Sequence, residues 1–397
     1  MKKIFIIHIG NFLLDGNSGV AQKTFAQAAE FRLLGREVQV VAFTSREDNS
    51  ANHSNAFTAI STRGMKSPYE AVTDFFKQHV HPGDSVFLRY PFASQGLLNL
   101  VQTFGHQIVF EHNTIEHQEV ILSQREHFWR QSFSLRASYF AYFLKTFVFR
   151  RTREHELGAA ILKHVAGGIC VTNEIASYEQ SRCSGYRTIG IGNGGPEPET
   201  APSSAPEFNT TLRVVMVVGT LHSWHGVDRI MKGLKKYTNE KVFIELDFIG
   251  FSEEESEYSI STPSYRVKAL GRMNSAQLER AMMNYHLAIG SLALHRIGLK
   301  EASPLKVRQC LMAGVPMVLG YDDTDVSHSN SLSTFICQFP ANDSLLDWER
   351  IVRFYNDLIA RPDFKQDLSK AARMELSMGV KARACLEFID SCTSHKL

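Results

Sequence analysis

Short, mostly apolar runs bounded by glycine, proline or polar turns recur along the first half of this chain, at residues 4–9, 38–43, 85–88, 107–110 and 168–171. A strand with one wet face alternates apolar and polar residues, whereas a mostly apolar run needs cover on both faces. Cover is available between several of the runs, because residues 21–34, 68–79 and 93–103 repeat apolar positions at helical spacing. Strands alternating with helices in this way predict a parallel sheet covered by helices, an α/β doubly wound domain. The order breaks at residues 187–196, where Gly190, Gly192, Gly194 and Gly195 precede Pro196. Residues 196–206 are rich in Pro, Ser, Ala and Glu, which marks a linker and a domain boundary near residue 197.

Beyond the linker the alternation restarts. Residues 212–218, 242–249, 267–271, 287–292 and 315–319 read as strands, and 227–237, 275–285 and 304–313 as helices, the last stopped by Gly314-Val315-Pro316. A second doubly wound domain is therefore expected, which suits a chain of 397 residues, longer than one core usually supports. The expected division is 1–196, 197–378, and a C-terminal helix over 379–397 packing back on the first domain. Ligands of such sheets bind beyond the carboxyl ends of the strands, so two domains facing one another would hold their ligand in a central cleft.

Composition excludes several classes. Net charge is only +2 and neither half carries a recognition motif, which argues against nucleic acid as a partner. The six cysteines form no Cys-x-x-Cys pair, so neither a structural zinc site nor a redox dithiol is expected, and a reducing, cytoplasmic setting fits. The apolar run at the start is interrupted by His8 and reads as a buried strand rather than an export signal. A dinucleotide dehydrogenase needs Gly-x-Gly-x-x-Gly after its first strand, and Gly10, Gly16 and Gly19 are too widely spaced.

Four stretches carry the chemistry. They are Gly219-Thr220-Leu221-His222-Ser223-Trp224-His225-Gly226; Leu270-Gly271-Arg272 with the helix after it; Glu301-Ala302-Ser303-Pro304-Leu305-Lys306-Val307-Arg308-Gln309 with Ala313-Gly314-Val315-Pro316 behind it; and the loop Gly16-Asn17-Ser18-Gly19 leading into the first helix. Together and in this order they resemble the family 4 glycosyltransferases, in particular the subgroup with Trp-His-Gly after the first strand of the second domain. The resemblance spans most of the chain. It implies the GT-B fold, two Rossmann-like domains facing a cleft, and transfer of a hexose from a nucleoside-diphosphate sugar with retention of anomeric configuration. The acceptor it implies is a glycan or polyprenyl-linked glycan, in surface polysaccharide or glycoconjugate synthesis, with no cofactor beyond the donor substrate.

The departing diphosphate must be neutralised, and cationic side chains, backbone N–H groups and helix N-termini are the available means. By the resemblance, Lys306 holds the diphosphate, N–H groups around Ser303, Pro304 and Leu305 cap it, and Glu301 meets the sugar hydroxyls. Gly19 lets the N-terminal loop come close to phosphates and acceptor. Arg272, Thr220 and His225 belong to the same donor-binding set. At the end of the strand over 107–110, the resemblance puts His112 near the reacting centre and Glu116 in substrate orientation. The local alternative for Ser303-Pro304 is an ordinary helix start, with Ser as N-cap and Pro in the first turn.

The chain also departs from the family pattern. Gln309 stands where most members have a second Glu that binds the ribose, and an amide is a weaker partner for a diol. Thr220 and His225 replace basic residues, which throws more of the neutralisation on Lys306, with Arg308 or Arg296 as helpers. Asp323-Thr324-Asp325 has the spacing of a metal-binding Asp-x-Asp, but it sits with Asp322 in an expected turn where Asp is common anyway, and no metal is expected.

Residues 125–153 interleave Arg125, Arg130, Arg136, Lys145, Arg150, Arg151 and Arg153 with many aromatics against the single acid Glu126. That composition suits contact with an anionic membrane, about 1 kcal/mol per cation near the lipid, and hence a peripheral location at the inner face of the plasma membrane. Two rivals remain open on the sequence: a GT-B sugar-nucleotide epimerase, and a non-catalytic binding subunit of a transferase complex.

Overall fold

The computed structural model describes residues 2–11, 18–45, 57–115, 118, 153–198, 208–219, 221–250 and 259–393. The chain divides into two compact units, one of residues 1–192 with 381–397 and one of residues 193–380.

The first unit runs β1 (Lys3–Ile9), α1 (Gly19–Leu33), β2 (Glu37–Thr44), β3 (Phe57–Ser61), α2 (Pro68–His79), β4 (Ser85–Arg89), α3 (Gln95–Phe104), β5 (Ile108–His112), β6 (Gly167–Cys170), α4 (Asn173–Arg182) and β7 (Thr188–Gly190). Its sheet has the order β3-β2-β1-β4-β5-β6-β7 and every pairing is parallel. Side chains alternate faces along β1: Phe5 and Ile7 join a core with α2 and α3, whereas Ile4 and Ile6 join one with α1. Both faces are dry, which is why the strands are mostly apolar; each fully buried Ile or Phe contributes about 1.5–3 kcal/mol.

The glycine-rich stretch over 187–196 does not simply end the pattern, because β7 lies inside it and pairs with β6. Three residues, with Ile189 exposed and Gly190 lacking a side chain, carry too little apolar periodicity to register as a strand. Strand β5 also runs two residues further than its apolar run, through Glu111 and His112, since both are buried by neighbouring elements.

The second unit runs β8 (Thr211–Val217), α5 (Val227–Leu234), β9 (Phe243–Ile249), β10 (Ile260–Ser261), β11 (Tyr265–Ala269), α6 (Ser275–Met282), β12 (Leu287–Ile289), β13 (Glu301–Ala302), α7 (Leu305–Met312), β14 (Met317–Leu319), β15 (Asp322–Asp323), β16 (Ile336–Gln338), α8 (Trp348–Ile359), α9 (Phe364–Leu376) and α10 (Met378–Thr393). The sheet order is β10-β11-β9-β8-β12-β14-β16, parallel except for the edge strand β10, with β13 and β15 forming a separate parallel ribbon. One core joins the sheet to α5, α7, α8 and α9. Beyond residue 380, α10 belongs to the first unit, where Ala382, Cys385, Leu386, Ile389 and Cys392 pack on the α1 face of its sheet. Among the described residues no helix is long and apolar enough to cross a membrane.

Candidate functional site

In the second sheet, β9 lies on one side of β8 and β12 on the other. The chain therefore leaves β8 and β12 in opposite senses, and the loops at their carboxyl ends diverge to leave room for a ligand. Those two loops are stitched together. Leu292 N–H donates to the His225 carbonyl at 3.1 Å and Ala293 N–H to the Trp224 carbonyl at 3.0 Å.

The turn after β8 depends on Gly226, whose φ is +72°. A Cβ there would stand 2.9 Å from Leu292 Cβ, so the Trp-His-Gly sequence reflects a left-handed turn pressed against the neighbouring loop. Gly226→Ala is expected to cost about 1–3 kcal/mol, read by urea denaturation; a cost within 0.3 kcal/mol would contradict this account of the turn. His222 and Trp224 stack with ring centroids 3.9 Å apart. His225 Nδ1 accepts the His222 N–H at 3.0 Å, which in the neutral imidazole places the proton on Nε2 as a donor. Thr220 lies outside the described residues.

On the β12 side, Lys306 occupies the first turn of α7, at the second helical position. Its ammonium lies 3.7 Å from where a Cβ on Gly219 would stand, at the end of β8. Burial lowers its pKa from 10.5 to about 8. Among the described residues no carboxylate is paired with it. The helix start offers further positive potential. Pro304 is the N-cap and supplies no capping side chain, so the first-turn N–H groups of Leu305 and Lys306 have no capping acceptor. A half-buried cation without an anion, beside uncapped helix N–H groups, is suited to an anionic group such as a phosphate.

Ser303 is not the N-cap that its place before Pro304 suggests. Its buried hydroxyl accepts the Asn193 N–H at 2.7 Å, and its carbonyl accepts the Asn193 side-chain amide. Glu301 is half-buried in β13, paired in register with Asp322 of β15. Gln309 is half-buried one turn further along α7, and Arg272 is exposed after the left-handed Gly271, φ +70°.

The two helper cations are already matched. Arg296 bonds Asp228 at 2.8 Å and Asp343 at 2.6 Å. Arg308 is fully buried and is paired with Asp323 and, at 2.6 Å, Asp325. The Asp-x-Asp spacing thus serves an internal arginine here, a partnership sequence spacing could not disclose. Among the described residues no group of His, Cys, Asp or Glu is arranged to hold a metal ion.

In the first unit, His112 is inside the core rather than on an accessible rim. Its Nε2 bonds the Tyr186 hydroxyl at 3.1 Å, and its ring packs 4.9 Å from that of Tyr90. Burial, reinforced by the Arg182 charge, lowers its pKa to about 3. The neutral ring has no exposed surface here. Glu116 and nearly all of the basic, aromatic segment over 125–153 lie outside the described residues. Gly19 is exposed as the first residue of α1, behind Ser18, whose hydroxyl accepts the Ala21 N–H at 3.1 Å.

Reasoning from the sequence missed that Lys23, Thr24 and His8 join the polar stretch at the carboxyl ends of β1 and β5. Lys23 of α1 is paired with Glu111 and bonds Asn113 at 3.0 Å, and Thr24 bonds His8 at 3.1 Å. Burial would raise the Glu111 pKa, but Lys23 and Arg89 outweigh it and hold the carboxyl at about 2. The available signal was His8, a polar residue inside an apolar strand.

No protein-family model and no curated protein matches this sequence. Solved structures do. A glycosyltransferase from Rickettsia africae ESF-5 superposes with a TM-score of 0.62 over 100% of both chains at 11% identity. WaaG, a glycosyltransferase involved in lipopolysaccharide biosynthesis, gives 0.57 over 98% of this chain and 99% of its own at 14% identity. Anabaena Alr3699/HepE, in complex with UDP-glucose, gives 0.59 over 98% of this chain and 100% of its own at 12% identity. At these identities the likeness is one of fold: the chain has the GT-B architecture of two Rossmann-like α/β units.

Proposed function

We propose that this protein is a glycosyltransferase that moves a hexose, with retention of configuration, from a nucleoside-diphosphate sugar to a glycan or lipid-linked glycan acceptor. Lys306 carries the reading. Its ammonium lies near the end of β8, desolvated and, among the described residues, without a carboxylate, beside uncapped helix N–H groups. A cation held this way costs stability unless a ligand anion repays it, and a diphosphate fits that need.

In the proposed reaction the bond between the anomeric carbon and the diphosphate oxygen breaks, and a bond to the acceptor oxygen forms on the same face. Negative charge grows on the departing phosphate, and Lys306 and the N–H groups of Leu305 and Lys306 are placed to stabilise it there. The departing phosphate oxygen takes the acceptor's proton. Glu301 would orient the sugar hydroxyls, and His225 Nε2–H would supply one further hydrogen bond. The matched charges of Arg296 and Arg308 leave Lys306 as the main neutralising group.

A panel of sugar nucleotides tests the reading through thermal shift and donor hydrolysis; a folded protein that responds to none of them rules it out. Product analysis separates transfer from epimerisation, since an epimerase releases a free altered sugar without an acceptor. Acidity supplies a second check. A diphosphate favours protonated Lys306, so the affinity for UDP should be flat below pH 7.5. It should fall by about tenfold per pH unit above pH 8.5 as the free site loses its proton. Lys306→Met should bind weakly and without this slope, and a wild-type affinity unchanged between pH 7 and 10 would remove Lys306 from the site.

A further inference from the structure

We propose that Arg308 and Asn193 are positioning residues for the loop over residues 301–306, an inference that rests on the nucleotide-sugar reading of that loop. The contacts form a closed circuit within the second unit. Ala302 pairs in register with Asp323, and Asp323 is bound by the Arg308 guanidinium. The same guanidinium donates through Nε to the Asn193 carbonyl at 3.1 Å. Asn193 then returns to the loop, its N–H to the Ser303 hydroxyl and its amide to the Ser303 carbonyl. Ser303 follows Ala302 and the ring is complete.

The circuit grips the loop from behind. Successive helical residues lie about 100° apart, so Arg308 projects from the side of α7 roughly opposite Lys306. Arg308 is fully buried while Lys306 is half-buried, in keeping with one facing inward and the other the candidate phosphate site. The segment carrying Asn193 is itself pinned. Gly195 N–H donates to Leu376 at 2.7 Å, and its carbonyl accepts from Met378 at 2.9 Å. A Cβ on Gly195 would collide with Met312 Sδ, so this segment lies directly against α7.

Stability alone gives little reason for the arrangement. A buried ion pair is matched or exceeded by well-packed apolar residues of similar volume. A planar guanidinium that spans two carboxylates and a carbonyl defines geometry that an apolar side chain cannot. Residues 301–306 hold both Glu301 and Lys306, so displacing the loop moves both relative to a bound donor.

The test uses the full chain with Arg308→Lys, Asn193→Ala and the double variant. Arg308→Lys keeps the charge and loses the fork, and Asn193→Ala removes one amide donor. Each is titrated calorimetrically with UDP, GDP and ADP below its own melting transition. For whichever diphosphate the parent binds, each single variant should bind on the order of 10-fold more weakly. The double variant should lose less than the product of the two, because both substitutions open one circuit. The donor KM should rise more than kcat falls. Variants that bind as the parent does, or whose only change is a lower melting temperature, overturn the positioning role while leaving the transferase reading intact. A parent that binds none of the diphosphates removes that reading, and this inference with it.

Discussion

Lys306→Met is expected to lower kcat/KM for sugar transfer by roughly 100- to 1,000-fold, the loss typical of removing one charge-stabilising group from a transition state. The same change is expected to make the protein more stable. The folded state holds the lysine pKa at about 8, below its unfolded value of 10.5, so at neutral pH folding disfavours the ammonium that it contains. That cost is fully present below pH 8 and disappears as the pH rises toward 10.5. Methionine has no charge to desolvate and keeps much of the aliphatic packing, so Lys306→Met should gain about 1 kcal/mol at pH 7, after discounting for solvent around a half-buried group. The gain should vanish at pH 10. Loss of activity with a gain in stability is the expected trade at a functional site. Full turnover by the variant, measured with the donor that the parent uses, would end the case for Lys306.

Arg308→Leu is expected to do the reverse to stability. It takes the guanidinium away from the Asp323 and Asp325 carboxylates, the first of which is fully buried, and removes a donor to the Asn193 carbonyl. Breaking one side of such a pair costs about 3–5 kcal/mol, readable as a lower urea midpoint with an unchanged slope. A cost below 1 kcal/mol would mean that water reaches the two carboxylates and that the pairing is looser than it stands here.

The two substitutions concern residues two positions apart, and the sequence presents them alike, as two cations flanking Val307. The resemblance marked Lys306 because it falls in a recognised stretch, and folding puts its ammonium near the end of β8. Arg308 entered only as a possible helper to Lys306. Its partner acids lie in a turn after the next strand, and only the pairing of β13 with β15 brings them under α7. The surroundings of His112 were also not legible from its place at a strand end: the rings of Tyr90, Phe110 and Tyr186 pack around it. Ser303 before Pro304 likewise has the local form of a cap, and a distant backbone N–H from Asn193 takes its hydroxyl instead.

Period and punctuation are local properties. Mostly apolar runs separated by helical stretches, and the restart beyond the Pro- and Ser-rich segment, were enough to specify two doubly wound units. They also specified that residues 301–306 lead into a helix, because burial on both faces of a sheet leaves its imprint on the central strands, though not on short or half-exposed ones such as β7. Charge pairing is different, since a buried ion needs a partner within a few ångströms and sequence distance says nothing about which ion that is. Only the folded chain decides that Arg308 is matched while Lys306, among the described residues, is left without a carboxylate, and that difference separates an internal brace from the candidate phosphate site.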